Sequence, residues 1–117
     1  MGKLSTHVLD LTLGQPGRGV KVELYAIDGS TRTLLKSALT NHDGRCDAPL
    51  LEGAAMKTGQ YELVFAAGAY FDAMGTTLPN PKFIDRVTLA FGIADTQQNY
   101  HVPLLVSPWA YSTYRGS

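Results

Sequence analysis

Three histidines, one cysteine and a few well-placed arginines carry most of the reactive chemistry in this sequence. His7 lies in "THVLD", His101 in "YHVPLL" and His42 in "NHDGR". Imidazole titrates close to neutrality and can take or give a proton at physiological pH. Arg45 follows the turn holding His42, and Arg115 stands three positions from the end in "YSTYRGS". A guanidinium offers a planar, permanently charged fork of donors that suits carbonyl and oxyanion oxygens. Each of these residues also has a plainer reading. His42 reads as a solvated loop side chain, a histidine in a strand is usually structural, and both arginines could be surface charge. Cys46 beside Arg45 could have a lowered pKa, but a lone strand cysteine is more often a small buried hydrophobe, and that reading is preferred. No G-x-S-x-G is present, the glycines of "GQPGRG" do not match a phosphate loop, and no His, Cys or acidic pair has metal-ligand spacing.

The elements that must position these residues have a period of two. "VKVELYAI" alternates Val20, Val22, Leu24 and Ala26 with polar neighbours, and "YELVFAA" puts Tyr61, Leu63 and Phe65 on one face. "RVTLAFGI" does the same with Val87, Leu89, Phe91 and Ile93. "YHVPLLVSP" does so with Tyr100, Val102, Leu104 and Val106, leaving His101 on the opposite face. "STHVLDLT", "RTLLKSALT" and "WAYSTY" read as weaker strands, and "RCDAPLL" as a short one. Turn signals separate them at 14–19, 27–30, 41–45 and 78–83. "GAYFDAMG" spaces Tyr70, Phe71 and Met74 as a short helix. About eight strands, one helix and no repeat predict an all-β, antiparallel two-sheet sandwich forming a single domain over 1–117.

Composition narrows the partners. With 44% apolar and 17% charged residues the chain must fold. Ten basic and ten acidic side chains cancel, with no basic run, which argues against a nucleic-acid or anionic-membrane partner. Apolar runs such as "VPLLV" are too short to cross a bilayer, and "MGKLSTHVLD" shows no signal peptide, so a cytoplasmic location is expected. Met1-Gly2 with Thr6 fits the loose myristoylation pattern, but no second membrane signal follows and it is discounted.

Three segments resemble the 5-hydroxyisourate hydrolase (transthyretin-related) family: "STHVLDLTLGQPGRGVKVELY", "TNHDGRC" and "YHVPLLVSPWAYSTYRGS". "GQYELVFAAGAYF" resembles the family's fifth strand and helix, so the similarity covers nearly the whole chain. The terminal Tyr-Arg-Gly-Ser is the specific part, because it separates the hydrolases from transthyretin. The resemblance implies a transthyretin-like sandwich assembled as a homotetramer, a dimer of dimers with active sites in a central channel. It implies hydrolysis of 5-hydroxyisourate to 2-oxo-4-hydroxy-4-carboxy-5-ureidoimidazoline in urate degradation, with no metal or organic cofactor. By position it assigns catalysis to His7, Arg45, His101 and Ser117, and substrate binding to His7, Arg45, Tyr114, Arg115 and Gly116. Asn99 stands where the family often has a second histidine, and Trp109-Ala110 where an aromatic-glycine pair is commoner.

Hydrolysis of a cyclic acyl C–N bond needs a base for the water, stabilisation of the oxyanion and an acid for the leaving nitrogen. Histidines and an arginine cover all three roles, and a nearby arginine would hold a histidine neutral. Which histidine is the base stays open at this point. A non-catalytic transthyretin-like carrier of a hydrophobic small molecule is the main rival. A carrier would not need His7, Arg45, His101 and the tail together.

Overall fold

The computed structural model describes residues 1–116. In chain order the strands are β1 (Lys3–Ser5), β2 (Val8–Asp10), β3 (Gln15–Pro16), β4 (Lys21–Asp28), β5 (Thr31–Leu39), β6 (Leu51–Glu52), β7 (Gly59–Phe65), β8 (Val87–Ile93), β9 (Tyr100–His101), β10 (Leu104–Val106) and β11 (Tyr111–Ser112). Among the described residues one α-helix, α1 (Ala67–Ala73), follows β7. The long alternating segments build one four-stranded antiparallel sheet in the order β5-β4-β7-β8. Its inward rows are Val22 and Leu24, then Tyr61, Leu63 and Phe65, then Val87, Leu89 and Ile93, all buried. Gly29 takes φ +59 in the turn between β4 and β5, a left-handed position that favours glycine.

The facing layer is built from shorter pieces, ordered β6-β1-β9 and β11-β10-β2-β3. These pieces are continuous through two main-chain bonds: Val102 N–H donates to Ser5 O at 2.9 Å and Leu104 N–H to His7 O at 2.8 Å. β1–β2 and β9–β10 are therefore two interrupted strands running side by side, and they run parallel. The sequence led us to expect an antiparallel sandwich; most pairings are antiparallel, but this central pair is not. Alternation is the same for both directions, so periodicity could not have distinguished them.

Pro103 explains the interruption. The amides of residues 102 and 104 face β1–β2, so the position between them faces β11, where proline has no N–H to give. The ladder to the last strand is accordingly broken between Ser112 and Gly116, and Thr113 Oγ1 donates to Pro103 O at 2.7 Å in its place. On the core side the buried Thr6 hydroxyl donates to Val102 O at 2.7 Å. "RCDAPLL", read as a short strand, pairs only near its two ends: Arg45 forms a single bridge with His7, and β6 begins at Leu51, after Pro49.

The core gathers both inner faces with Tyr70 and Phe71 of α1. Met74, expected on the same helical face, caps the helix and is exposed. Buried Asp10 accepts from Tyr70 Oη at 2.7 Å and from the amides of Thr12 and Leu13, joining the helix to β2. Burial, then the bond to Asp10, push the Tyr70 hydroxyl up to about 12. The link that bears on the site is Thr6. Thr6→Val keeps the shape but strands the buried Val102 carbonyl, which should cost about 1–3 kcal/mol in denaturant unfolding. A loss below a few tenths of that would show that Thr6 does not hold the parallel pair together.

Candidate active site

Strand alternation turns residues 4, 6, 8 and 10 inward, so Ser5, His7 and Leu9 sit on the outer face of the parallel layer. The neighbouring strand puts Tyr100 and Val102 in the core and His101 on that same outer face. The parallel register sets Ser5 opposite His101, and the ring centroids of His7 and His101 are 6.4 Å apart. Residues from the two ends of the chain thus present two imidazoles to one small volume.

Arg45 arrives from the other side. The turn 41–45 closes on Asn41, whose Oδ1 accepts from Asp43 N at 2.9 Å and Arg45 N at 3.2 Å, and whose amide donates to Arg45 O at 2.7 Å. Gly44 takes φ +76 and packs against β2, where a Cβ would collide with the Val8 carbonyl oxygen. This close docking lets Val8 N–H reach Gly44 O at 2.8 Å and pairs Arg45 with His7 in an antiparallel bridge. His7 Nε2 lies 2.7 Å from Asp43 O, and His101 Nδ1 lies 2.9 Å from Ser5 Oγ. Burial, then the charge on Arg45, then His7, hold the His101 ring below its ordinary 6.5. The expectation that an arginine would keep a histidine neutral therefore has its place at His101, with burial the larger cause.

The tail joins this row through its backbone. Gly116 bridges His101, its N–H donating to His101 O at 2.7 Å, with the return bond at 3.2 Å. A Cβ on Gly116 would lie 3.1 Å from the His101 Cβ, so glycine here answers a close approach. Arg115 donates from Nη2 to Gln98 Oε1 and Asn99 O, both at 2.9 Å, and its guanidinium lies 4.3 Å from the centre of the Tyr100 ring. It anchors the tail to the loop before β9. Tyr114 is exposed beside an apolar recess of about 280 Å³ lined by Phe91, Tyr100, Val102 and Arg115. Ser117 lies outside the described residues. The structure thus gathers His7, Arg45, His101 and Gly116, whereas Tyr114 and Arg115 line a recess with Tyr100 and Val102 on the core side of the strand and are not brought to this row.

The remaining reactive side chains, His42 and Cys46, lie in and just after the turn that carries Arg45. His42 is solvated beside Asp43. Cys46 is half-buried with its thiol pushed up by burial and then by Asp47, as suits an inert packing residue. A recess of about 660 Å³ lies nearby against Lys21, Lys36, Cys46, Asp47 and Leu50, and no histidine is among its lining residues. A smaller one of about 190 Å³ adjoins Ser5 and Arg45. Chemistry, not volume, marks the site. Among the described residues no cluster of three or more His, Cys, Asp or Glu could hold a metal. Ser5 and the Asp43 carbonyl were not singled out from sequence. A hydroxyl two positions before a strand histidine carries no signal until its cross-strand neighbour is known.

Fold and outer-face row together define a transthyretin-like sandwich with an imidazole-guanidinium site. The chain belongs to the HIUase/Transthyretin family, whose profile matches residues 4–116. It is 58% identical to a 5-hydroxyisourate hydrolase of Ralstonia nicotianae, over 100% of both chains. Its fold superposes on the Klebsiella pneumoniae 5-hydroxyisourate hydrolase with a TM-score of 0.82 at 35% identity, covering 100% of each chain. An (S)-allantoin synthase superposes with a TM-score of 0.94 at 42% identity; 99% of this chain is covered, but only 44% of that longer one.

The electrostatics can be checked directly. With the folded His101 below 6.5, the unfolded chain binds this proton first as pH falls. Its contribution to stability is therefore present above 6.5 and is lost as pH drops through the folded value. Arg45→Gln removes one lowering charge, so the His101 midpoint should rise in an NMR titration yet stay below 6.5, because burial remains. A midpoint unmoved by Arg45→Gln would contradict the coupling.

Proposed function

We propose that this chain, acting as one domain over 1–117, hydrolyses 5-hydroxyisourate, with water attacking the cyclic acyl C–N bond. The carrying observation is the convergence of His7, Arg45 and His101 on one face, two of them across a parallel pair joined by backbone bonds. The names of the relatives at high identity support the same reading. One histidine can take the water's proton and return it to the leaving nitrogen, as a base that becomes an acid. Arg45 supplies fixed donors to the carbonyl oxygen as it gains charge. No metal or organic cofactor enters this scheme. We extend the catalytic set to Ser117, which follows Gly116 directly in sequence, and the substrate contacts to Tyr114, Arg115 and Gly116. A carrier of a hydrophobic molecule would have no use for this polar row.

The site lies on an open sheet face, so we propose a homotetramer, a dimer of dimers, that closes it. The alternating "LLVSPWAYSTY" stretch supports this. Leu104 and Val106 are core, while Trp109, Tyr111 and Tyr114 point outward. Trp109 (57% exposed) stacks on Phe83 (72% exposed) with centroids 6.0 Å apart, an aromatic patch of the kind that interface cores collect. We place the protein in the cytoplasm, where its single free cysteine would stay reduced. Among the described residues no helix is long and apolar enough to cross a membrane.

The test is the ultraviolet decay of 5-hydroxyisourate freshly made by urate oxidase. The protein should accelerate decay well above the spontaneous rate, and a rate equal to the blank would end the proposal. Arg45→Lys keeps the charge but loses the fork, and should lower turnover about a hundredfold; unchanged kinetics would return Arg45 to ordinary surface charge. Light scattering should give near four times the 12.6 kDa chain mass. A fully active monomer would contradict the closed, shared site.

A further inference from the structure

We propose that Ser5 and the main-chain carbonyl of Asp43 are positioning groups that, among the described residues, leave His7 Nδ1 as a free acceptor and His101 Nε2 as a free donor. The assignment rests on the hydrolase reading and gives the two histidines different tasks within it.

A carbonyl oxygen only accepts, so the 2.7 Å contact from His7 Nε2 to Asp43 O requires the proton on that nitrogen. The neutral His7 ring then keeps its lone pair at Nδ1. The position of Asp43 O is itself imposed, because Asn41 clamps the turn through the Asp43 and Arg45 amides and Gly44 seats it on β2. For His101 the engaged atom is Nδ1, 2.9 Å from Ser5 Oγ. Among the described residues this ring nitrogen is the hydroxyl's one hydrogen-bond partner. A hydroxyl hydrogen rotates to an acceptor when one is in reach. Donation from Ser5 satisfies the serine and puts the ring's single proton on Nε2, the site that neutral imidazole side chains prefer. Burial and the Arg45 charge keep that ring neutral, so it has only one proton to place.

The consequence for the reaction balances without any further reagent. His7 Nδ1 takes a proton from water while the water oxygen bonds to the acyl carbon. His101 Nε2–H and Arg45 donate hydrogen bonds to the oxyanion, and neither loses a proton. The C–N bond then breaks, and the nitrogen leaves with the proton returned from His7. Asp43 O stabilises the transient imidazolium by accepting from its Nε2–H. A neutral ring such as His101 is a poor proton donor but a sound oxyanion donor.

Two-bond proton–nitrogen spectra of the uniformly labelled protein near pH 8 test this apart from activity. Both rings should be protonated at Nε2. Ser5→Ala should move the His101 Nδ1 resonance toward that of an unbonded lone pair and lower kcat about threefold to tenfold, the range of one net hydrogen bond. Ser5→Thr, which keeps the hydroxyl, should restore both. Finding the His101 proton on Nδ1, or a Ser5→Ala protein with unchanged Nδ1 resonance and kcat, would overturn the proposal. Rings protonated as assigned in a protein that leaves 5-hydroxyisourate decay at the blank rate would overturn the hydrolase reading and leave the ring assignment supported.

Discussion

The parallel pairing of β1–β2 with β9–β10 is the constraint on which the rest of the site depends. Two backbone bonds, from the Val102 and Leu104 amides to the Ser5 and His7 carbonyls, bring together residues from opposite ends of the chain. Here the inner face is supplied by Leu4, Val8, Tyr100 and Leu104, all buried. Pro103 and Thr6 then shape the middle of the pair. Proline can stand only where its missing N–H points at the last strand, and threonine satisfies the Val102 carbonyl from the core side. Around this fixed centre the turn 41–45 and the Gly116 bridge attach as outer members. The result is a row reading Arg45, His7, His101, Gly116 across the sheet.

The electrostatic character of the row follows from its position on the sheet. His101 is partly withdrawn from water and lies within the field of a guanidinium, and both effects oppose protonation. His7 meets a carbonyl oxygen, which favours a proton on the engaged nitrogen. Two rings of the same type, 6.4 Å apart, thus have different electrostatic surroundings. The chain as a whole balances its charges, so this contrast is local.

Much of this was legible in the sequence. The alternation of "YHVPLLV" alone put His101 on the face opposite Tyr100, Val102 and Leu104, while "THVLD" read only as a weaker strand and left the face of His7 unassigned. The helix at 67–73 was visible from its spacing, although Met74 turned outward at its end. Strand direction was not visible, because a period of two is common to parallel and antiparallel ladders. Nor was the pairing of Arg45 with His7, which depends on a turn seated against a strand far away in sequence. The tail's importance was read from resemblance. Its backbone anchoring by Gly116, and the turning of Arg115 toward Tyr100, needed coordinates.

The central claim is that residues from three separate segments form one site because the parallel pair holds them there. The most direct measurement is an NMR titration with a planar, non-hydrolysable analogue of the substrate. We expect the His7 and His101 ring signals and the Arg45 Nε signal to shift together along one binding curve. Shifts confined to another surface, with those three signals unmoved at saturation, would contradict the account.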